Sequence, residues 1–258
     1  MKTEEPQETP KLSLTQQKAA DLNYCPQHPR HPLLIQKLKT RANIYVVGPT
    51  GSGKTKGIKV AAAELGLNVY KKLMGNQTSE SSIIGYMDAG GRYVEGIAYK
   101  PFTEGGILCL DEIDNGNPNT TLVANGLADR EFAFPCGMRE AHKDFILVAT
   151  ANTIGTGANI QYCGRNRLDM AMLNRFEFIH WDYDNELEEV LMYRNCGATP
   201  MGQIRSLYLD IFYMRKALEE LQLQHIISPR NAIQATIAYC SGQSASDIFH
   251  TILLKGLD

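Results

Sequence analysis

Residues 48–55 read Gly48, Pro49, Thr50, Gly51, Ser52, Gly53, Lys54 and Thr55, the complete G-x-x-x-x-G-K-[ST] spacing. The segment stands between an apolar strand-like run, 43–47, and an Ala-rich helix-like run, 56–65, which Gly66 is placed to stop. A loop of that composition between strand and helix is built for phosphate: its glycines let backbone amides wrap an anion, Lys54 can neutralise β- and γ-phosphate charge, and the Thr55 hydroxyl can ligate magnesium. A second strand-like run over 67–73 makes this the start of a βαβ unit, and so of a parallel α/β sheet.

Two further apolar runs, 106–110 and 145–149, read as central strands buried on both faces. Open parallel sheets bind ligands just beyond the carboxyl ends of their strands, so Asp111, Glu112 and Asn152 are expected at the same edge as the Gly-rich loop. Adjacent acids at a strand exit are often only a polar turn. Behind a phosphate loop they suit a division of labour in which Asp111 holds magnesium and Glu112 polarises the attacking water. Asn152 could position that water or a phosphate through its amide, although a plain strand-terminal turn residue is the competing reading. Arg175, just before another apolar run, and Arg230, after Ser228 and Pro229 at a helix start, are either surface charges or arginines that reach a transferring phosphoryl group.

The 258 residues carry 43% hydrophobic and 21% charged side chains with a formal net charge of -2, which fits one α/β unit with a small satellite and gives no global reason to expect a nucleic-acid or membrane-surface protein. No apolar run approaches the roughly 18 residues that span a bilayer, and the first ten residues lack the order of a signal peptide, so a cytoplasmic location is expected. The six cysteines are scattered and read as free thiols. Cys25, His28 and His31 bunch three potential metal ligands near the N-terminus, but without a fourth, and among prolines that favour an extended linker. The expected organisation is a flexible segment over 1–32 with a disordered start at 1–12, an α/β nucleotide-binding core over 33–183, and a helical lid over 184–258.

With these motifs placed, the chain resembles the AAA+ ATPases, and among them the MoxR-like branch that includes the cobaltochelatase subunit CobS and the CbbQ/NirQ activators. The resemblance covers about residues 33–235 and rests on GPTGSGKT, LCLDEID, ATANT, YCGRNRLDMAMLNRFEFI and SPR, in the family's order. It implies a parallel sheet of order 5-1-4-3-2 with a helical lid, ATP and Mg2+ as ligands, and a homo-oligomeric ring, expected to be a hexamer, with nucleotide at the subunit boundaries. By the same resemblance Lys54 and Thr55 belong to Walker A, Asp111 and Glu112 to Walker B, Asn152 to sensor 1, Arg175 to the arginine finger and Arg230 to sensor 2. Arg165 and Arg167 are either secondary trans-acting arginines or structural residues. Segments 91–101 and 131–142 look like inserted hairpins that line the pore face in relatives. The implied activity is mechanical remodelling of a protein partner, with a von Willebrand A-type protein as one candidate. The alternatives are the motor subunit of a metal chelatase, a nucleic-acid motor, for which segment 91–101 is poor in Lys and Arg, and a nucleotide switch that hardly hydrolyses, which Glu112 argues against.

Overall fold

In the computed structural model, which describes residues 13–21, 26–158 and 162–256, the chain forms two compact units, His28–Tyr183 and the combination of Met1–Gln27 with Asp184–Asp258. The first is organised by five parallel strands: β1 (Ile44–Val47), β2 (Val69–Leu73), β5 (Gly106–Asp111), β8 (Phe145–Ala151) and β9 (Glu177–His180). They lie in the order β2-β5-β8-β1-β9. Numbered along the chain as core strands one to five, that is the expected 5-1-4-3-2.

The unbroken apolar runs follow from burial on both sheet faces. On one face, Ile44 and Val46 of β1, Ile107 and Cys109 of β5, and Ile146 and Val148 of β8 pack with Leu34 and Leu38 of α2 (His31–Lys39) and Ile58 and Ala61 of α3 (Lys54–Glu64). The alternate residues Tyr45, Leu108, Leu110, Leu147 and Ala149 meet the other face. That face is covered by α4 (Ser81–Ile84), α5 (Tyr99–Glu104), α7 (Val123–Ala128), which the short α6 (Pro118–Thr121) precedes, and α8 (Met170–Leu173), with Ile83, Phe102, Leu127 and Met172 in its core. Neither face of a central strand meets water, so no polar alternation is needed.

Two antiparallel hairpins interrupt this pattern, β3 (Tyr86–Met87) with β4 (Tyr93–Val94), and β6 (Glu131–Phe134) with β7 (Gly137–Glu140). The second lies within the expected 131–142. The first is displaced from the expected 91–101, because the turn forms earlier: the Asp88 carboxylate accepts from the Gly90 and Arg92 amides, Gly91 takes a φ of 72°, and residues from Tyr99 onward coil into α5.

The second unit comprises α1 (Leu14–Ala20), α9 (Asn185–Arg194), α10 (Met201–Glu220), α11 (Pro229–Cys240) and α12 (Ala245–Ile248), closed by a π-helical turn over Phe249–Leu253. Its core joins Val190, Met192, Ile204, Ile211, Ala232, Ala235 and Leu253, and buried Glu188 is clamped by both guanidinium nitrogens of Arg215 at 2.8 Å. The expected single segment over 1–32 is divided here. Ser13 and Gln16 form a capping box that starts α1, and Ala19 is buried in the helical core, whereas the chain from His28 onward belongs to the α/β unit. The expected disordered start over 1–12 lies outside the described residues. No helix among the described residues is long and apolar enough to cross a membrane.

Candidate functional site

The register of the sheet sets what converges. Val47 pairs with Ala151 and Leu110 with Ala149, so the ends of β1, β5 and β8 deliver Gly48, Asp111 and Asn152 to one edge. Gly48 must be glycine, since a Cβ there would stand 2.0 Å from the Trp181 carbonyl oxygen. Gly53, the residue before α3, has a φ of 88°, which only glycine adopts without strain. The loop between them is braced by three aromatics. Trp181 Nε1 donates to the Ser52 carbonyl at 3.2 Å, the Tyr183 hydroxyl donates to the Thr50 carbonyl at 2.7 Å, and the Thr50 amide donates to the Tyr162 hydroxyl at 3.1 Å.

Lys54 is buried, and its ammonium donates to the Gly48 and Pro49 carbonyls at 2.7 and 2.9 Å and to Asn152 Oδ1 at 2.9 Å. Burial lowers its pKa to about 8, against the opposing pull of Asp114, Asp111 and Glu112. The Thr55 hydroxyl donates to Asp111 Oδ1 at 2.8 Å, Thr150 donates to the same oxygen, and Lys71 Nζ lies 2.6 Å from Asp111 Oδ2. Burial raises the Asp111 pKa, but the hydrogen bonds from Lys71, Thr150 and Thr55 outweigh it and hold the carboxyl below the usual carboxylate range.

Glu112 follows with φ 56° and ψ 48°, a left-handed conformation that costs a non-glycine residue about 1 kcal/mol or more. Arg165 bridges two acids with one nitrogen, Nη1 lying 3.1 Å from Glu112 Oε2 and 3.2 Å from Asp114 Oδ1. Asp114 is fully buried. Its other oxygen accepts from the Asn152 and Thr153 amides and the Thr153 hydroxyl at 3.0–3.1 Å, so it fastens the end of β8 to the turn after β5. Replacing Asp114 by alanine leaves these donors and Arg165 without their buried acceptor, a loss of about 3–5 kcal/mol. The melting temperature of Asp114→Ala is therefore expected to fall on the order of 10 °C in a thermal scan. A shift within 2 °C would contradict this fastening role.

Not every expected residue joins this cluster. Arg175 precedes β9, whose Glu177 pairs with Ile44 and whose His180 pairs with Val47, so it lies at the amino edge of the sheet, opposite Gly48. There it forms a two-pronged ion pair with Asp129 at 2.8 and 3.0 Å and donates to the Ala171 carbonyl. Arg230 is exposed in the first turn of α11, behind the Ser228 and Asn231 capping box, within the helical unit. Arg165 is engaged by acids of its own chain. Of the N-terminal trio, Cys25 lies outside the described residues, His28 stacks on Trp181 with ring centroids 4.1 Å apart, and His31 pairs with Glu64 at 3.0 Å. No group of three or more His, Cys, Asp or Glu among the described residues is arranged to hold a metal ion.

Lys71, Thr150, Asp114, Trp181 and Tyr183 are absent from the sequence-based set of site residues. Asp114 and Thr150 left a readable trace, the first as the last acid of the run Asp111-Glu112-Ile113-Asp114 and the second inside ATANT, but neither with a role attached. The whole arrangement gathers three cations, Lys54, Lys71 and Arg165, around three carboxylates, Asp111, Glu112 and Asp114, at the mouth of a loop shaped for phosphate.

Residues 43–176, just over half of the chain, match the AAA domain of the dynein-related subfamily. The chain belongs to the AAA domain family. As an AAA-type ATPase it is a P-loop enzyme that binds and hydrolyses ATP. Uncharacterized proteins of Staphylococcus aureus strains USA300 and NCTC 8325 are each 31% identical to this AAA protein over 227 residues, covering 76% of this chain and 82% of theirs. Among solved structures, a candidate ATPase from Cytophaga hutchinsonii matches with a TM-score of 0.49 at 16% identity, over 93% of this chain and 83% of that one. NtrX from Brucella abortus matches with a TM-score of 0.46 at 19% identity, over 79% of this chain but only 44% of NtrX.

Proposed function

We propose that the chain hydrolyses ATP with magnesium at the Gly48–Thr55 loop, assembles as a ring, and uses the cycle to remodel a protein partner. The observation that carries this reading is the division of the expected machinery: Lys54, Thr55, Asp111, Glu112 and Asn152 share one sheet edge, while Arg175 stands at the other.

The loop fits a nucleotide phosphate chain. Ser52 Oγ is buried with no hydrogen-bond partner among the described residues, and Lys54 sits on acceptors that a phosphate can replace. Thr55 and Asp111 are the hard oxygen donors that suit Mg2+, which takes one or two protein ligands beside phosphate and water. When bound, the metal would neutralise charge developing on the phosphate oxygens. Glu112 is the group to accept the proton of the attacking water as its oxygen bonds to the γ-phosphorus and the bond to the β-phosphate oxygen breaks, yielding ADP and phosphate. Arg165 holds only Glu112 Oε2, so Oε1 is the oxygen left to take the proton, and Arg165, which also pairs with Asp114, keeps a positive charge at the site. Asn152 holds Lys54 and orients the loop side of the site.

Arg175 is separated from its own loop by the length of β1, about 13 Å along the strand, so a finger role for it requires delivery to the loop of a neighbouring copy. The test is complementation. Arg175→Ala is expected to bind ATP but lose about a thousandfold in kcat, and mixing it with a Lys54→Ala chain should restore measurable turnover from mixed boundaries. No restoration at any mixing ratio would rule out a shared site.

A protein partner is favoured over nucleic acid by the hairpins. They expose Tyr86, Met87 and Met138, while Arg92 is tied to Asp88 and Arg139 donates to the Tyr99 hydroxyl. The finer placement beside MoxR- and CobS-like proteins, with six subunits and a von Willebrand A-type partner, rests on motif order and belongs to the same proposal.

A further inference from the structure

The Asp111 carboxylate is held by three donors of its own chain. Thr55 and Thr150 donate to Oδ1, and Lys71 Nζ sits 2.6 Å from Oδ2. Lys71 comes from the neighbouring strand, paired with Cys109 in register while Leu73 pairs with Asp111, so its ammonium reaches two residues along the same sheet face to the acid. The two ends of this ion pair differ. Asp111 is 10% exposed and fixed by two hydroxyls, whereas Lys71 is 36% exposed at the edge strand on a flexible four-carbon stem and can turn into water.

We propose that Lys71 is a tethered cation that competes with the divalent metal for Asp111 and so sets the magnesium concentration at which the site loads nucleotide. This rests on the reading of Asp111 as a metal-holding residue. A divalent ion bound through Asp111 must share or take Oδ2, and the charge it brings repels an ammonium 2.6 Å from that oxygen. Metal entry therefore displaces Lys71 to solvent, and the strength of the Lys71–Asp111 pair is subtracted from the apparent metal affinity. Thr150 and Thr55, which are neutral donors, oppose metal entry far less.

The test is binding of a fluorescent ATP analogue at fixed concentration to the full chain while Mg2+ is titrated, read by fluorescence with no turnover required. Lys71→Met, which keeps the stem and removes the charge, is expected to lower the half-saturating magnesium about two- to fivefold, and Lys71→Arg to stay near wild type. Where the apolar variant aggregates, Lys71→Gln serves the same purpose. An unchanged magnesium midpoint in folded Lys71→Met, or a midpoint that rises, overturns the proposal; a rise would mean that Lys71 supports nucleotide directly. Failure of the underlying reading looks different: analogue binding to wild type would not depend on magnesium, and Asp111→Asn would not alter it.

Discussion

The Lys54→Ala variant is expected to lose nucleotide affinity by at least about 100-fold, measured by calorimetry or by binding of a fluorescent analogue. Among the described residues Lys54 is the one cation seated inside the loop, on the Gly48 and Pro49 carbonyls and the Asn152 side chain. Around it stand Asp111, Glu112 and Asp114, whose negative charge opposes a polyphosphate. Removing the ammonium takes away a charge-assisted phosphate contact of about 3 kcal/mol and leaves the acids less compensated. The glycine conformations and the aromatic braces do not depend on Lys54, so the variant should fold. Affinity within a few-fold of wild type would place the nucleotide elsewhere.

The second large effect is expected from Glu112→Gln. The amide keeps the size of the side chain and an oxygen for Arg165, so ATP binding should stay within a few-fold of wild type. It cannot accept a proton at neutral pH, and kcat is expected to fall about 10²- to 10⁴-fold in a single-turnover assay. The left-handed backbone at Glu112 gives the position its own signature. The strain persists because Asp114 and the Thr150 hydroxyl, which accepts from the Glu112 amide at 3.1 Å, fix the turn from both sides. Undiminished turnover in Glu112→Gln would remove Glu112 from the chemistry.

What could be read in advance follows a physical division. The sheet was legible because its central strands are buried on both faces, which writes unbroken apolar runs into 44–47, 106–110 and 145–149, and because Gly48 and Gly53 mark where backbone must be bare. The ends of those strands carried Asp111, Glu112 and Asn152 with them. Lys71 was hidden because two consecutive lysines in an edge strand look like a solvated face, and only the register β2 to β5 shows that one of them reaches an acid. Arg165 was visible as a residue but not as a partner of Glu112 and Asp114, since that pairing depends on a loop returning across more than 50 positions. Trp181 and Tyr183 left no periodic trace, as their work is done by a ring nitrogen and a hydroxyl beyond the last strand. The first hairpin was misplaced by a few residues because a turn made by Asp88 and Gly91 has no apolar signal.

On the proposed reading one chain is incomplete, with the loop, its acids and Asn152 at one sheet edge and Arg175, the candidate finger, at the other. The ATPase rate per chain, followed across protein concentration with and without Mg2+, tests it most directly. The rate is expected to need magnesium and to climb with concentration until boundaries between copies saturate. A magnesium-dependent rate that is already maximal at the lowest concentration, in a sample shown to be monomeric, would contradict it.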